Sequence, residues 1–95
     1  MRDSAVVLSE GIKKGTWIDI SYKNTPEQTT YYWIAIRDID LRRKVLYADI
    51  FNDQKSLNSL EAVIKFDRIL SAKILEFTSY DTPIELIHKL EKNKE

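Results

Sequence analysis

The sequence predicts a mainly β domain of the α+β kind: a small five-stranded β-barrel flanked by an N-terminal and a C-terminal helix. Three observations predict it. Short runs of period-two alternation fill most of the stretch between Thr16 and Tyr80. Helical spacing is confined to the two ends, 4–14 and 82–93. The chain has 95 residues, 11% of them aromatic, with only two glycines and two prolines. So short a chain has little means of shielding the edges of a flat sheet, and curling hides them while giving the rings a common interior.

The first helix, 4–14, has Ser4 or Asp3 to cap its free amides. Ala5, Leu8 and Ile12 fall on one face. Lys13 and Lys14 suit the negative end of the dipole, and Gly15 is placed to end the helix. Gly11 inside it costs about 1 kcal/mol relative to Ala, so this helix leans on packing.

From Thr16 the period is two. Ile18, Ile20 and Tyr22 share a face, opposite Asp19, Ser21 and Lys23. Asn24 to Gln28 is a turn built around Pro26. The second strand, Thr29 to Asp38, is rich in β-branched and aromatic residues. Tyr32, Ile34 and Ile36 lie on one side of it and Tyr31, Trp33, Ala35 and Arg37 on the other, which predicts partial cover on both faces. Asp40 to Arg43 is a polar turn, and Lys44 to Phe51 is the third strand. A polar loop is expected over 52–59, then strands over 62–66 and 72–80 bridged by 67–70. In the closing helix, Thr82-Pro83-Ile84-Glu85 has the form of a capping box.

Composition narrows the function classes. Fifteen Lys+Arg balance fifteen Asp+Glu, so bulk positive charge does not drive binding, although a local basic patch remains open. There is no cysteine, which removes disulfides, thiolate catalysis and cysteine-ligated zinc. The single His88, with Glu85 and Glu91 at helical spacing, reads as a surface residue, and no metal site is expected. No glycine-rich phosphate loop and no nucleophile in a strand–turn–helix setting is present. The chain is therefore expected to be non-catalytic, without a cofactor. No secretory leader and no bilayer-length apolar run is visible, so a cytoplasmic location is expected. The chain reads equally as a whole protein or as an excised N-terminal domain.

Two groups of candidate binding residues stand out. Arg68, after Asp67 and between apolar runs, suits bidentate contact with a phosphate; equally, it suits a structural pairing with Asp67 or loop carbonyls. Arg37, Arg42 and Arg43, with Lys44, form the basic cluster. With Tyr31, Trp33 and Tyr47 they suggest a stacking platform beside a cationic groove, or simply a solvated hairpin tip, with Asp38, Asp40 and Asp49 opposing a phosphate backbone.

Several strings resemble a WYL domain. Trp17-Ile18-Asp19-Ile20-Ser21-Tyr22 resembles the strand that follows the family's short opening helix. Lys44-Val45-Leu46-Tyr47-Ala48 resembles the strand that names the family, with Val45-Leu46-Tyr47 standing where Trp-Tyr-Leu is usual. Ile64-Lys65-Phe66-Asp67-Arg68-Ile69 is similar to the family's Phe, Asp, Arg and Ile run. The resemblance covers roughly residues 5–80 and describes a divergent member. It implies an Sm-like barrel acting as a ligand- or nucleic-acid-binding regulatory module of a larger bacterial nucleic-acid-processing or transcriptional protein. It also implies a pocket formed by Tyr22, Tyr47 and Arg68, with Lys65 nearby. The partners it implies are single-stranded nucleic acid or a nucleotide, and a downstream ATPase/helicase region of the same chain; a homo-oligomer is open and no membrane is expected. The competing expectation is a protein–protein or inter-domain docking module.

Overall fold

The computed structural model of the chain describes residues 4–51 and 60–92. The elements are α1 (Ser4–Lys14), β1 (Trp17–Thr25), β2 (Gln28–Asp40), β3 (Val45–Ile50), β4 (Leu60–Lys65), a 3-10 turn η1 (Phe66–Arg68), β5 (Ile69–Leu75) and α2 (Ile84–Lys92). The polar loop expected over 52–59 lies outside the described residues.

All five strands join one antiparallel sheet in the order β4-β3-β2-β1-β5. The first four form a meander, and the last returns to pair with the first. Its two edges are therefore β4 and β5, yet only η1 separates them along the chain. Three residues span no more than about 11 Å, so the sheet must curl until its edges meet at this corner.

Hydrogen bonds show the same curl. The Phe66 amide donates to the Lys44 carbonyl at 2.9 Å, and Arg68 Nη1 donates to the Asn24 carbonyl at 2.9 Å. Asn24 and Lys44 flank opposite ends of β2, which if straight would lie about 40 Å apart. A register shift between Ile36 and Asp38 interrupts the β2–β3 ladder, as a bulge that bends a strand does. Among the described residues no ladder joins β4 to β5, so the sheet is curled but open. The closed barrel expected from the sequence gives way to this open form.

The concave side holds an aliphatic core. Ile18, Ile20, Ile34, Ile36, Leu46, Ala48 and Ile64 project there, with Leu8 and Ile12 from α1 and Leu86 from α2. Burying each large side chain contributes about 1.5–3 kcal/mol. Tyr22 is buried with them, and Tyr32 and Phe66 pack against them. These are the few rings on the inside; most of the others lie outside the curl, contrary to the common ring-filled interior that composition suggests.

Local signals explain most boundaries. Gly15, at φ 71°, closes α1: its amide reaches the Ile12 carbonyl at 3.3 Å while that of Thr16 reaches Gly11 at 3.1 Å. Ala5, expected on the buried face, is exposed, and Val7 is buried with Leu8 and Ile12. Pro26 and Glu27 make the β1–β2 turn. The fifth strand spans Ile69–Leu75 rather than 72–80. It ends where the Thr78 amide and hydroxyl both donate to the Leu75 carbonyl, at 3.0 and 2.7 Å, turning the chain away. Thr82, expected to cap α2, instead donates its hydroxyl to the Ile12 carbonyl at 3.2 Å, and the helix begins at Ile84.

Candidate functional site

The corner built by η1 gathers most of the candidate residues. Val45 pairs with Lys65, so the β2–β3 turn carrying Arg42, Arg43 and Lys44 lies beside the end of β4. The Phe66–Lys44 bond fixes that approach. Arg68 reaches back to the Asn24 carbonyl, and the Lys65 amide donates to the Tyr22 hydroxyl at 3.0 Å. Five cations (Arg42, Arg43, Lys44, Lys65 and Arg68) thus share a corner with two acids, Asp40 and Asp67, in a chain whose overall charge is zero. Every one of the five is exposed.

The β2–β3 turn is held from within. Asp40 Oδ1 accepts the Arg42 and Arg43 amides at 3.1 and 3.2 Å, and Arg43 Nε lies 3.8 Å from Asp40 Oδ2. Lys44 closes the turn at φ 56°, a left-handed conformation uncommon outside glycine. Asp40 is therefore occupied by its own turn.

The remaining candidates divide. Tyr22 is buried, its hydroxyl used by Lys65 and its ring 6.2 Å edge-on from Tyr32; it supports the corner from beneath. Tyr47 sits further along β3, opposite Val63, in a shallow depression with Arg42, Ile39 and Lys89. Arg37 stands apart: Nη1 lies 3.6 Å from Asp49 Oδ1, and Asp49 Oδ2 accepts the Tyr80 hydroxyl at 2.9 Å. It belongs with the outer face of the sheet. At the α2 side, Lys89 donates to Asp38 Oδ1 at 2.9 Å, and this holds the Asp38 carboxyl below the usual carboxylate range.

That outer face carries five rings in contact. Trp17 lies 5.9 Å from Phe51 and 5.6 Å from Tyr80; Trp33 lies 5.5 Å from Phe51 and 5.8 Å from Phe77. Such contacts each add about 0.5–1.5 kcal/mol beyond the area they bury. The segment after β5 completes the cluster, pinned by the Tyr80 amide on the Gly15 carbonyl at 2.7 Å and by the Trp17 amide on the Thr78 hydroxyl at 2.9 Å. Phe77 is still 76% exposed, Phe51 47% and Trp33 36%, and Tyr31 on the same side is 74% exposed. Parity placed Trp33 opposite Ile34 in the sequence; the crossing of 76–82 over that face carried no local signal.

Among the described residues, no group of three His, Asp or Glu side chains converges as a metal site. No described helix is long and apolar enough to cross a membrane. No family model, curated protein or solved structure matches the chain.

Proposed function

We propose that this chain is a non-catalytic, WYL-like binding module that holds an anionic ligand, single-stranded nucleic acid or a nucleotide, at the η1 corner. The carrying observation is that two basic segments distant in sequence, 42–44 and 65–68, are bonded into one exposed corner. Arg68 keeps a guanidinium edge beyond its single bond to Asn24, and guanidinium matches phosphate. Tyr47, on the strand leading out of the turn, is the stacking residue of this reading. The curled sheet is then an Sm-like barrel left open between β4 and β5. Its setting is a regulatory domain of a larger bacterial nucleic-acid-processing or transcriptional protein in the cytoplasm, beside an ATPase/helicase region.

The test is a titration with oligo-dT and with ATP across salt concentrations. Binding should weaken steeply with salt, and Arg68→Ala and Lys65→Ala should each lower the salt slope by about one. An unchanged slope in both variants removes the corner from the site.

A second reading, docking onto another domain of the same polypeptide, is favoured by the exposed rings of Trp33, Phe51 and Phe77. Retention of oligonucleotide by a Trp33→Ala, Phe77→Ser variant separates the two surfaces.

A further inference from the structure

We propose that the apolar hollow between α1, α2 and the β2–β3 turn binds a small amphipathic carboxylate, its hydrocarbon against Leu8, Leu46 and Phe66 and its head group on Lys44. This second site adjoins the corner proposed for polyanions and shares Lys44 with it, but its apolar walls are its own.

The hollow has a physical origin in α1. Ala5 and Ser9 are four residues apart, so they stack on one face of the helix. Both are small, and neither side chain fills the space toward β3. A space of about 450 Å³ is left, walled by Leu8 of α1, Leu46 of β3, Phe66 of η1 and Leu90 of α2. That volume lies in the range of small-molecule sites. Leu8 and Leu46 also belong to the core, so the floor of the hollow is the core itself. Leu41, exposed at the tip of the turn, also lines the hollow.

The rim selects the head group. Three charged side chains line it: Lys44, Asp40 and Asp67. Asp40 is occupied by two amides and the Arg43 guanidinium. Asp67 sits between Lys65 and Arg68 in sequence. Arg42 and Arg43 adjoin Lys44 in the same turn, and Arg43 is paired with Asp40, so Lys44 and Arg42 outweigh Asp67 and an anion enters a favourable potential. The backbone of Lys44 is fixed by its left-handed conformation and by the bond its carbonyl accepts from the Phe66 amide, which sets where its side chain starts at the rim. An apolar pocket with a few convergent polar groups recognises a molecule with one charged end and a hydrocarbon body. A monocarboxylate of roughly the bulk of a medium-chain acid meets both conditions.

The experiment is calorimetric titration of the full chain with decanoate, decanol and decyltrimethylammonium, all below their micellar concentrations. Decanoate should bind saturably, and the alcohol and the quaternary cation should bind at least ten-fold more weakly. Lys44→Glu should weaken decanoate by a similar factor. Ser9→Trp, which fills the hollow from α1, should abolish binding. Leu41→Asp, on an exposed turn where folding is not at stake, should weaken it at least five-fold. Arg68→Ala should leave decanoate affinity within two-fold while reducing oligonucleotide binding, so the two sites fail separately. Absence of saturable decanoate binding overturns the proposal. So does equal binding of the alcohol or the cation, or decanoate affinity unchanged in both Ser9→Trp and Leu41→Asp.

Discussion

The amide of Lys65 donates to the hydroxyl of Tyr22 at 3.0 Å, joining positions 43 residues apart. β1 and β4 are not neighbours in the sheet, so this bond spans its curl. It fastens the last residue of one edge strand to the strand beside the other edge. Together with the Phe66–Lys44 and Arg68–Asn24 bonds, it explains why η1 holds a defined corner with no ladder between β4 and β5.

Tyr22→Phe tests that bond with little change in volume. The Lys65 amide would lose its partner at a partly buried position, a cost of about 1–3 kcal/mol. In a domain of this size each kcal/mol lowers the melting temperature by about 4–8 °C. Thermal unfolding followed by circular dichroism reads it directly, and amide exchange at Lys65 should accelerate. A melting temperature matching the parent would mean that the curl stands without this bond.

Gly11→Ala separates helix propensity from packing. In an isolated helix the change stabilises by about 1 kcal/mol. Here the added Cβ would lie 2.6 Å from Ile18 Cδ1 and 2.7 Å from Ile18 Cγ1. Ile18 is fully buried and has nowhere to retreat. Overpacking of this kind costs about 1–3 kcal/mol, so the net effect is destabilising by about 1 kcal/mol. A urea midpoint that rises instead would show that α1 can shift off β1.

The Asp38–Lys89 pair, 2.9 Å apart, ties α2 to β2. The hydrogen bond from Lys89 is the main reason the Asp38 pKa lies below its ordinary value of 3.8, with burial acting in the opposite direction. A carboxyl whose pKa is depressed on folding stabilises above its unfolded pKa. That contribution fades as the pH falls below about 3.8 and through the folded value. Both partners are exposed, so the contribution is small, about 0.2–1 kcal/mol. Lys89→Met should therefore be slightly less stable than the parent at neutral pH, with the gap closing in acid. Urea midpoints measured from pH 7 to about pH 2 check this; a gap independent of pH would assign the effect of Lys89 to its bond with the Ile39 carbonyl at 3.0 Å.

Much of the fold was legible because its signals are local. Gly15 ends α1 through its own φ, and Pro26 with Glu27 turns the first hairpin. The alternation of Ile18 and Ile20 with Asp19 and Ser21 set which face of β1 is buried. What stayed illegible depends on partners far along the chain. Whether Trp33 is left bare or covered is decided by the segment around Phe77 and Tyr80, which follows the edge strand β5 far along the chain. Thr82 matched a capping pattern, but the carbonyl it found is Ile12, on another helix. At the site, Arg68 and Lys65 were readable as a pair. That Arg42 and Arg43 come to the same corner needed the pairing of β3 with β4.

The return of β5 to β1 has a consequence for how the chain acquires its shape. Trp17 is paired with Leu75, so the opening strand waits, with one side of its backbone unsatisfied, until synthesis has passed Leu75. Distant closures of this sort slow folding. During translation, the nascent meander would offer that bare flank to any extended segment nearby, making the interval before Leu75 emerges the period when a chaperone matters most.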